Sequence, residues 1–398
     1  MSEIKIILIG ALLVAVGPVS MSLYTPALPE LVKAFGTTEA LVKMTVTVYF
    51  AGFAITQLVC GPLSDGLGRR PVTIAFMGVY LLACVIALLA PTIEIMLAAR
   101  FLQGIGSAVG IAISRAIVRD VFTDGRSVRI MNLMGLFIAI TPALAPAIGG
   151  LALEITSWRA LFVLMTLMGL GAVWVAVFSM RETVARDLSR IRPLALIASY
   201  RTLLATPYFV LASLVVAGSV GAIYALATIV PFILMELLGL SPTAFGFSMI
   251  LQAGMFVVGA ATVQALLPRM GAKRLVPVGL AFVAGSSIAL ILFLFLADPT
   301  FLTVMGPIAF YSFGIAFIMP AMLTASLAPF PHIAGAASAL TGFLQMSAGL
   351  VASAAATLFV DPVMALTAIM PAMGAVALIS WLFWRPMPVP AAVRLQQL

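Results

Sequence analysis

Twelve long apolar runs, separated by short polar breaks, constrain this chain more than any other feature of its sequence. The runs are near-continuous, as in residues 6–19 and 282–297, and lack the apolar–polar alternation of spanning strands. Because about 20 apolar residues cross a bilayer as a helix, each run predicts one span. The predicted spans are residues 6–28, 42–63, 73–91, 95–118, 130–153, 159–180, 207–232, 244–267, 276–297, 301–325, 335–359 and 363–384.

The composition excludes a water-soluble chain and indicates an all-α integral membrane protein. Of the 398 residues, 63% are hydrophobic and 9% are charged, whereas soluble proteins average about 25% charged residues. The longest polar stretch, residues 181–201, separates two halves of six predicted helices each. We therefore expect an N-terminal bundle (1–180), a cytoplasmic linker (181–206) and a C-terminal bundle (207–398), as in transporters built from internal repeats. We expect the first run to be a retained helix rather than a signal peptide.

Loop charges predict the orientation of the chain. With the N-terminus in the cytoplasm, 16 of the 21 Lys and Arg residues fall on the cytoplasmic side. Only Lys33, Lys43 and Arg159 fall outside, and Arg100 and Arg115 lie within predicted helices. Since cytoplasmic loops carry the excess of Lys and Arg, both termini are expected in the cytoplasm of a bacterial inner membrane. The net charge of +8 then suits anionic lipids, and no nucleic-acid partner is expected.

Reactive residue types are too sparse for a cofactor or metal site. Cys60 and Cys84 both lie inside apolar runs, with neither metal-ligand spacing nor a disulfide framework. The single histidine, His332, is isolated in a Pro-rich loop, and no G-x-x-x-x-G-K-[ST] phosphate loop occurs. We expect no enzyme activity and no cofactor; an intramembrane enzyme or a receptor is the remote alternative.

The stretch GPLSDGLGRR, residues 61–70, follows the second predicted helix. It resembles the loop signature of the major facilitator superfamily, which implies two six-helix bundles working by alternating access. By that resemblance, Asp120 pairs with Arg69 in a cytoplasmic latch, and Gly66 replaces an arginine of the family pattern. The alternative is a merely solvated turn. The latch candidates are Gly61, Asp65, Gly68, Arg69, Arg70 and Asp120.

The fourth helix carries ARFLQGIG, residues 99–106, which resembles the family's buried-arginine motif. The resemblance implies a part for Arg100 in proton coupling; the alternative is an arginine that snorkels to the membrane interface. Asp120 is the leading candidate for the proton carrier, with Arg100 and Arg115 as further coupling candidates. A proton gradient is therefore the expected energy source.

The fifth helix carries TPALAPAIGG, residues 141–150. It resembles the antiporter signature of the same superfamily, with Ala145 in place of the first glycine, and that signature implies export. The alternative is a packing role alone. The signature residues are Pro142, Pro146, Gly149 and Gly150. With residues 23–29, 119–120 and 334–346, this pattern is similar to the Bcr/CflA-type (bicyclomycin-resistance-like) drug:proton antiporters.

A small-molecule cavity is expected between the halves near mid-membrane. Its candidate lining residues are polar or adaptable side chains in apolar helices: Tyr24, Tyr49, Gln57, Tyr224, Gln252, Tyr311, Gln345 and Met346. Acids are absent from the deep interior of the predicted helices, which favours neutral or anionic cargo over cations. We expect a monomeric exporter of small, largely apolar compounds. Its other partners are expected to be protons and membrane lipids. The alternative is an importer or facilitator of a small metabolite.

Overall fold

The computed structural model describes residues 3–122, 125–188, 191 and 193–388, with side chains for all of these except 125–129, 132, 136, 138 and 139. These residues form helices and turns, with no strand among them. Contacts divide the chain into two units, Met1–Arg192 with Leu240–Met249, and Pro193–Gly239 with Ile250–Leu398.

The first unit contains seven helices and the start of a later one. They are α1 Glu3–Ser22, α2 Leu28–Ala34, α3 Glu39–Leu67, α4 Arg69–Leu88, α5 Ile93–Val121, α6 Gly125–Ile155 and α7 Trp158–Trp174. A 3-10 turn joins α1 to α2, so the two act as one span, and a π-helical turn, Val175–Ser179, prolongs α7.

The second unit contains the remaining helices. They are α8 Pro193–Leu204, α9 Pro207–Pro231, α10 Pro242–Met270, α11 Ala272–Leu296, α12 Phe301–Leu327, α13 Ala334–Ala356 and α14 Pro362–Trp384. A π-helical turn, Phe232–Leu237, prolongs α9. Within the described ranges, 12 spans are long and apolar enough to cross a membrane, and α8 is the shorter apolar helix outside them.

Two segments differ from the sequence prediction. The stretch of residues 61–70, which resembles a loop signature, is helical as far as Leu67, and α4 starts at Arg69. Only Gly68 makes the turn, with a φ of 103° that favours glycine. The linker, predicted only as a polar segment, contains the helix α8.

Side-chain caps determine several helix starts. The Thr38 hydroxyl accepts the Leu41 N–H at the start of α3, and Asp361 Oδ1 accepts the Val363 N–H, 2.8 Å away, at the start of α14. Thr300 and Thr303 form a reciprocal capping box on α12. Each cap satisfies a backbone donor that has no partner within its own helix.

Glycines, which have no side chain, allow α5 to pass through the middle of the first unit. A Cβ on Gly104 would collide with the Tyr49 carbonyl of α3, and one on Gly110 would collide with the Leu13 carbonyl of α1. Such close backbone approach is typical of membrane helices with small residues at their contacts. The central position of α5 explains why an arginine near its start is fully enclosed.

Candidate functional site

The latch candidates form a charge cluster where α3, α4 and α5 end or begin. The Arg69 guanidinium forms an ion pair with Asp65, and its Nε lies 3.1 Å from Asp120 Oδ2. Its Nη1 also donates to Ser64 Oγ, 2.6 Å away. The Arg69 side chain is 6% exposed and that of Asp120 is 20% exposed. The structure therefore brings Asp120 to Arg69, the contact that the resemblance implied.

Two linker residues complete this cluster, and the sequence reasoning missed both. Glu182 Oε1 accepts the Arg69 backbone N–H at 2.8 Å, and its Oε2 accepts that of Arg70 at 3.1 Å. Thr183 Oγ1 donates to Asp120 Oδ2 at 2.9 Å. A carboxylate at free N–H groups stabilises a helix N-terminus, so Glu182 ties the linker to α4.

Arg70 acts apart from the ion pairs. Its Nη2 donates to the Val177 carbonyl at 2.7 Å and its Nε to the Ala176 carbonyl at 3.4 Å. A cation beside the free carbonyls at the end of a helix is stabilising, because those carbonyls carry a partial negative charge. Arg70 therefore ties α4 to the end of the π-helical turn after α7.

Gly66, the departure from the family pattern, lies beneath the linker. Its carbonyl accepts the Asp187 N–H at 2.9 Å, and a Cβ there would collide with the Ile191 side chain. An arginine at this position would have to displace the linker. Gly61, by contrast, has no atom near its missing Cβ.

Arg100 is completely buried, and it forms no ion pair with an Asp or Glu of the described residues. Its guanidinium carbon lies 4.3 Å from the centre of the Tyr24 ring and 4.5 Å from that of Tyr49. Its Nη1 donates to the Gln103 side-chain oxygen at 2.7 Å and to the Ser20 carbonyl at 3.2 Å. Cation–π contacts of a desolvated guanidinium are worth about 2 kcal/mol. Arg100 therefore does not snorkel to the interface.

The polar groups around Arg100 are themselves satisfied. The Tyr49 hydroxyl donates to the Gly17 carbonyl at 2.9 Å, and that of Tyr24 lies 2.8 Å from Thr45 Oγ1. In contrast, Nε and Nη2 of Arg100 have no hydrogen-bond partner among the described residues. Leaving a charged donor unpaired is expensive. The site therefore holds a cation whose hydrogen-bonding capacity is only partly used.

Arg115 joins neither cluster. It lies on an exposed part of α5, as does Arg119 one turn later, and no described ion pair includes it. The structure therefore separates the three coupling candidates: Asp120 lies in the charge cluster with Arg69, Arg100 lies between Tyr24 and Tyr49, and Arg115 lies at the surface.

The antiporter-motif segment forms one continuous stretch of α6 through Pro142 and Pro146. A Cβ on Gly149 would collide with the Leu23 carbonyl, and one on Gly150 would collide with the Pro242 carbonyl. Both glycines are therefore required by close backbone contacts within the first unit, at the turn after α1 and at the start of α10.

The cavity candidates divide into two groups by exposure. Tyr24, Tyr49 and Tyr311 are at most 1% exposed, and the first two support Arg100 in this conformation. Within the described part of the chain, the Tyr311 hydroxyl has no hydrogen-bond partner. The remaining candidates are partly exposed: Gln57, Tyr224, Gln252, Gln345 and Met346.

Acidic side chains stay away from the buried interior of both units. Among the residues whose side chains are described, no Asp or Glu is buried, whereas Lys43, Arg69 and Arg100 are. Glu94, Glu154 and Glu236 are exposed near helix ends. Each unit thus lacks a buried carboxylate within the described part of the chain.

Comparison with known proteins identifies the family. A family model described as "Major Facilitator Superfamily" matches residues 10–353. The chain belongs to the Major Facilitator Superfamily. This match confirms the resemblance to the superfamily and the all-α fold class with 12 spans. The chain is therefore a multi-pass membrane transporter rather than an enzyme.

Similar proteins match most of the chain. "Multidrug resistance protein D" of Escherichia coli (strain K12) is 29% identical over 385 residues, 96% of this chain and 95% of the relative. "Multidrug resistance protein MdtL" of Salmonella heidelberg (strain SL476) is 30% identical over 349 residues, 86% of this chain and 85% of the relative. A crystal structure of a D-xylose-proton symporter matches with a TM-score of 0.78 at 15% identity, covering 98% of this chain and 99% of the symporter. The symporter match supports the fold alone.

Proposed function

We propose that this transporter exports small, largely apolar compounds that are neutral or anionic, in exchange for protons, by alternating access. Two relatives of nearly the same length are named multidrug resistance proteins, which favours export of drugs over uptake of a metabolite. The proline and glycine residues of α6 match the antiporter signature of the family and support the same direction. The proton gradient supplies the energy, without a cofactor.

The observation that carries the proton-coupling proposal is the contact between Asp120 and Arg69. Asp120 Oδ2 accepts from Arg69 Nε at 3.1 Å and from the Thr183 hydroxyl at 2.9 Å, while the side chain keeps 20% of its surface exposed. Protonation of Asp120 would remove its charge and weaken both contacts. A partly exposed ion pair contributes only about 0–1 kcal/mol. Even a small contribution matters here, because a bound proton shifts the equilibrium between two conformations by the difference in its affinity for them. A proton on Asp120 would therefore favour the state in which the latch is open.

The proposed substrate class follows from the buried charges. A permanently cationic drug is best held by a carboxylate within the membrane, and no described Asp or Glu is buried. Arg100 lies between Tyr24 and Tyr49, forms no ion pair with a described carboxylate, and would repel cationic cargo. These charges favour neutral and anionic compounds.

The loop charges and the bacterial relatives support a location in the bacterial inner membrane, with both termini in the cytoplasm. The chain works as a monomer in this proposal.

An Asp120→Asn variant tests the coupling. We expect the purified variant to bind substrate as the wild type does, but to lose substrate flux driven by a proton gradient in proteoliposomes. Asp298→Asn, which neutralises an exposed acid outside the spans, is the matched control and is expected to transport normally. Unchanged proton-driven flux in Asp120→Asn would contradict the assignment of Asp120.

Direction and substrate class require separate measurements. Cells that express the transporter are expected to accumulate less of a panel of neutral and anionic compounds, and a protonophore should abolish the difference. Inside-out vesicles should take up these compounds when they are acidified inside. Net uptake by intact cells would favour the importer alternative. Tight binding of a quaternary ammonium compound, lost on mutation of Glu236, would overturn the proposed substrate class.

A further inference from the structure

The linker helix α8 presents an apolar face that the rest of its unit leaves uncovered. Leu194 is 82% exposed, Ile197 61% and Leu204 54%. With the exposed Arg201, these residues occur at spacings of three and four and therefore share one side of the helix. We call these four residues the outer face of α8. Leu203, on the opposite side, is fully buried.

The chain holds α8 close to the membrane surface. Only two residues separate its end at Leu204 from the start of the span α9 at Pro207, and α8 packs on α9 and α13. With 12 residues, α8 is about 18 Å long and too short to cross the hydrocarbon core. A short helix with exposed apolar side chains beside a span is typical of a segment that lies in the interface, where an arginine can extend its guanidinium to the headgroups.

The sequence around α8 carries positive charge only. No Asp or Glu occurs between Leu188 and Met235, whereas Arg190, Arg192 and Arg201 fall in this part of the sequence. A surface pocket of about 490 Å³ lies against the outer face, lined by Ile197, Tyr200, Arg201, Leu204 and Ala205. It thus combines one guanidinium with apolar walls, the two parts that a headgroup phosphate and an acyl chain require.

We propose that the outer face of α8 binds an anionic phospholipid of the adjacent leaflet. The headgroup phosphate pairs with Arg201, and the acyl chain covers Ile197 and Leu204. Leu203 keeps the opposite side of α8 on its own unit, so the helix presents this site without leaving the bundle. Lipid binding at α8 is independent of the proposed transport function, because it uses neither the latch nor Arg100.

A lipid titration of the full-length protein in detergent tests the site. Phosphatidylglycerol is expected to raise the thermal unfolding midpoint of the wild type, while phosphatidylcholine raises it less. Arg201→Gln should weaken the apparent affinity for phosphatidylglycerol about fivefold, which corresponds to about 1 kcal/mol for one cation at a charged membrane surface. Arg269→Gln, an exposed arginine at the end of α10, is the matched control and should leave the affinity unchanged.

Two results of this titration would overturn the proposal. Equal weakening by Arg201→Gln and Arg269→Gln would assign the effect to overall surface charge. Equal stabilisation by glycerol phosphate and by phosphatidylglycerol would make the pocket a site for a soluble anion rather than a lipid.

Spin labels measure the position of the outer face directly. Cys60 and Cys84 are buried, so new surface cysteines can be labelled selectively in the folded protein. In nanodiscs containing phosphatidylglycerol, a label at Ile197→Cys should collide readily with oxygen and poorly with a water-soluble nickel complex. A label at Thr202→Cys, exposed on the flank of α8, should show the reverse. Higher nickel accessibility at position 197 than at position 202 would place the outer face in water and overturn the proposal.

Discussion

Glu182 Oε1 lies 2.8 Å from the backbone nitrogen of Arg69, a residue 113 positions earlier in the chain. One carboxylate therefore caps the first turn of α4 while the side chain of the same arginine binds Asp65 and Asp120. Glu182 of the linker thus belongs to the same charge cluster as Asp65, Arg69 and Asp120, so a movement of the linker would change the backbone that positions Arg69.

Replacing Glu182 with Ala should loosen the linker. The change leaves the Arg69 and Arg70 N–H groups without this acceptor, and the loss of an N-terminal cap costs about 1 kcal/mol. We expect faster tryptic cleavage within the linker and a lower thermal unfolding midpoint. Glu154→Ala, at an exposed acid elsewhere, should change neither; equal cleavage rates in the two variants would contradict the capping role.

Gly66→Ala should destabilise the first unit, although alanine is the better helix former. The added Cβ would collide with Ile191 and crowd the Asp187 carbonyl, and overpacking of this kind costs about 1–3 kcal/mol. Gly61→Ala, in the same helix with open space at its Cβ, should be neutral or stabilising by up to about 1 kcal/mol. Chemical denaturation in detergent compares the two free energies of unfolding, and a Gly66→Ala value equal to that of Gly61→Ala would show that the linker does not pack there.

Gly104→Ala should separate α3 from α5. Its Cβ would collide with the Tyr49 carbonyl, a backbone atom that cannot rotate away, so we expect a loss of about 1–3 kcal/mol in the free energy of unfolding. Since Tyr49 also stacks on Arg100, transport should fall as well. Gly78→Ala in α4, where no atom lies near the added Cβ, is the control. Normal stability and transport in Gly104→Ala would exclude a tight contact.

Arg100→Met should separate stability from transport. Nε and Nη2 of Arg100 are buried without partners, and replacing a buried charge with a hydrophobic side chain of similar size is often neutral or stabilising. We expect an unchanged or higher unfolding midpoint together with the loss of proton-driven flux. A lower unfolding midpoint would instead show that the main role of Arg100 is to hold Tyr24 and Tyr49 together.

The fold was predictable to a large extent because its signals are local. An apolar run predicts a span through its length alone, so all 12 spans were visible in the sequence. The Arg69–Asp120 contact was also predictable, but only from the resemblance of residues 61–70 and 119–120 to a family pattern. The helix α8 was not predicted because it has only 12 residues, and polar residues interrupt its apolar positions Leu194, Ile197 and Leu204, so they form no long apolar run.

The amino-acid sequence by itself determined that this chain is an integral membrane protein, how many helices cross the membrane and which residue types lie at the ends of those helices. Those properties depend on composition and on neighbours a few positions apart. Only the tertiary structure decided that Glu182 caps α4, that Gly66 makes room for the linker and that Tyr24 and Tyr49 enclose Arg100. Each of these contacts joins residues on different helices or in the linker, where close backbone approach and burial, rather than local pattern, select the partner.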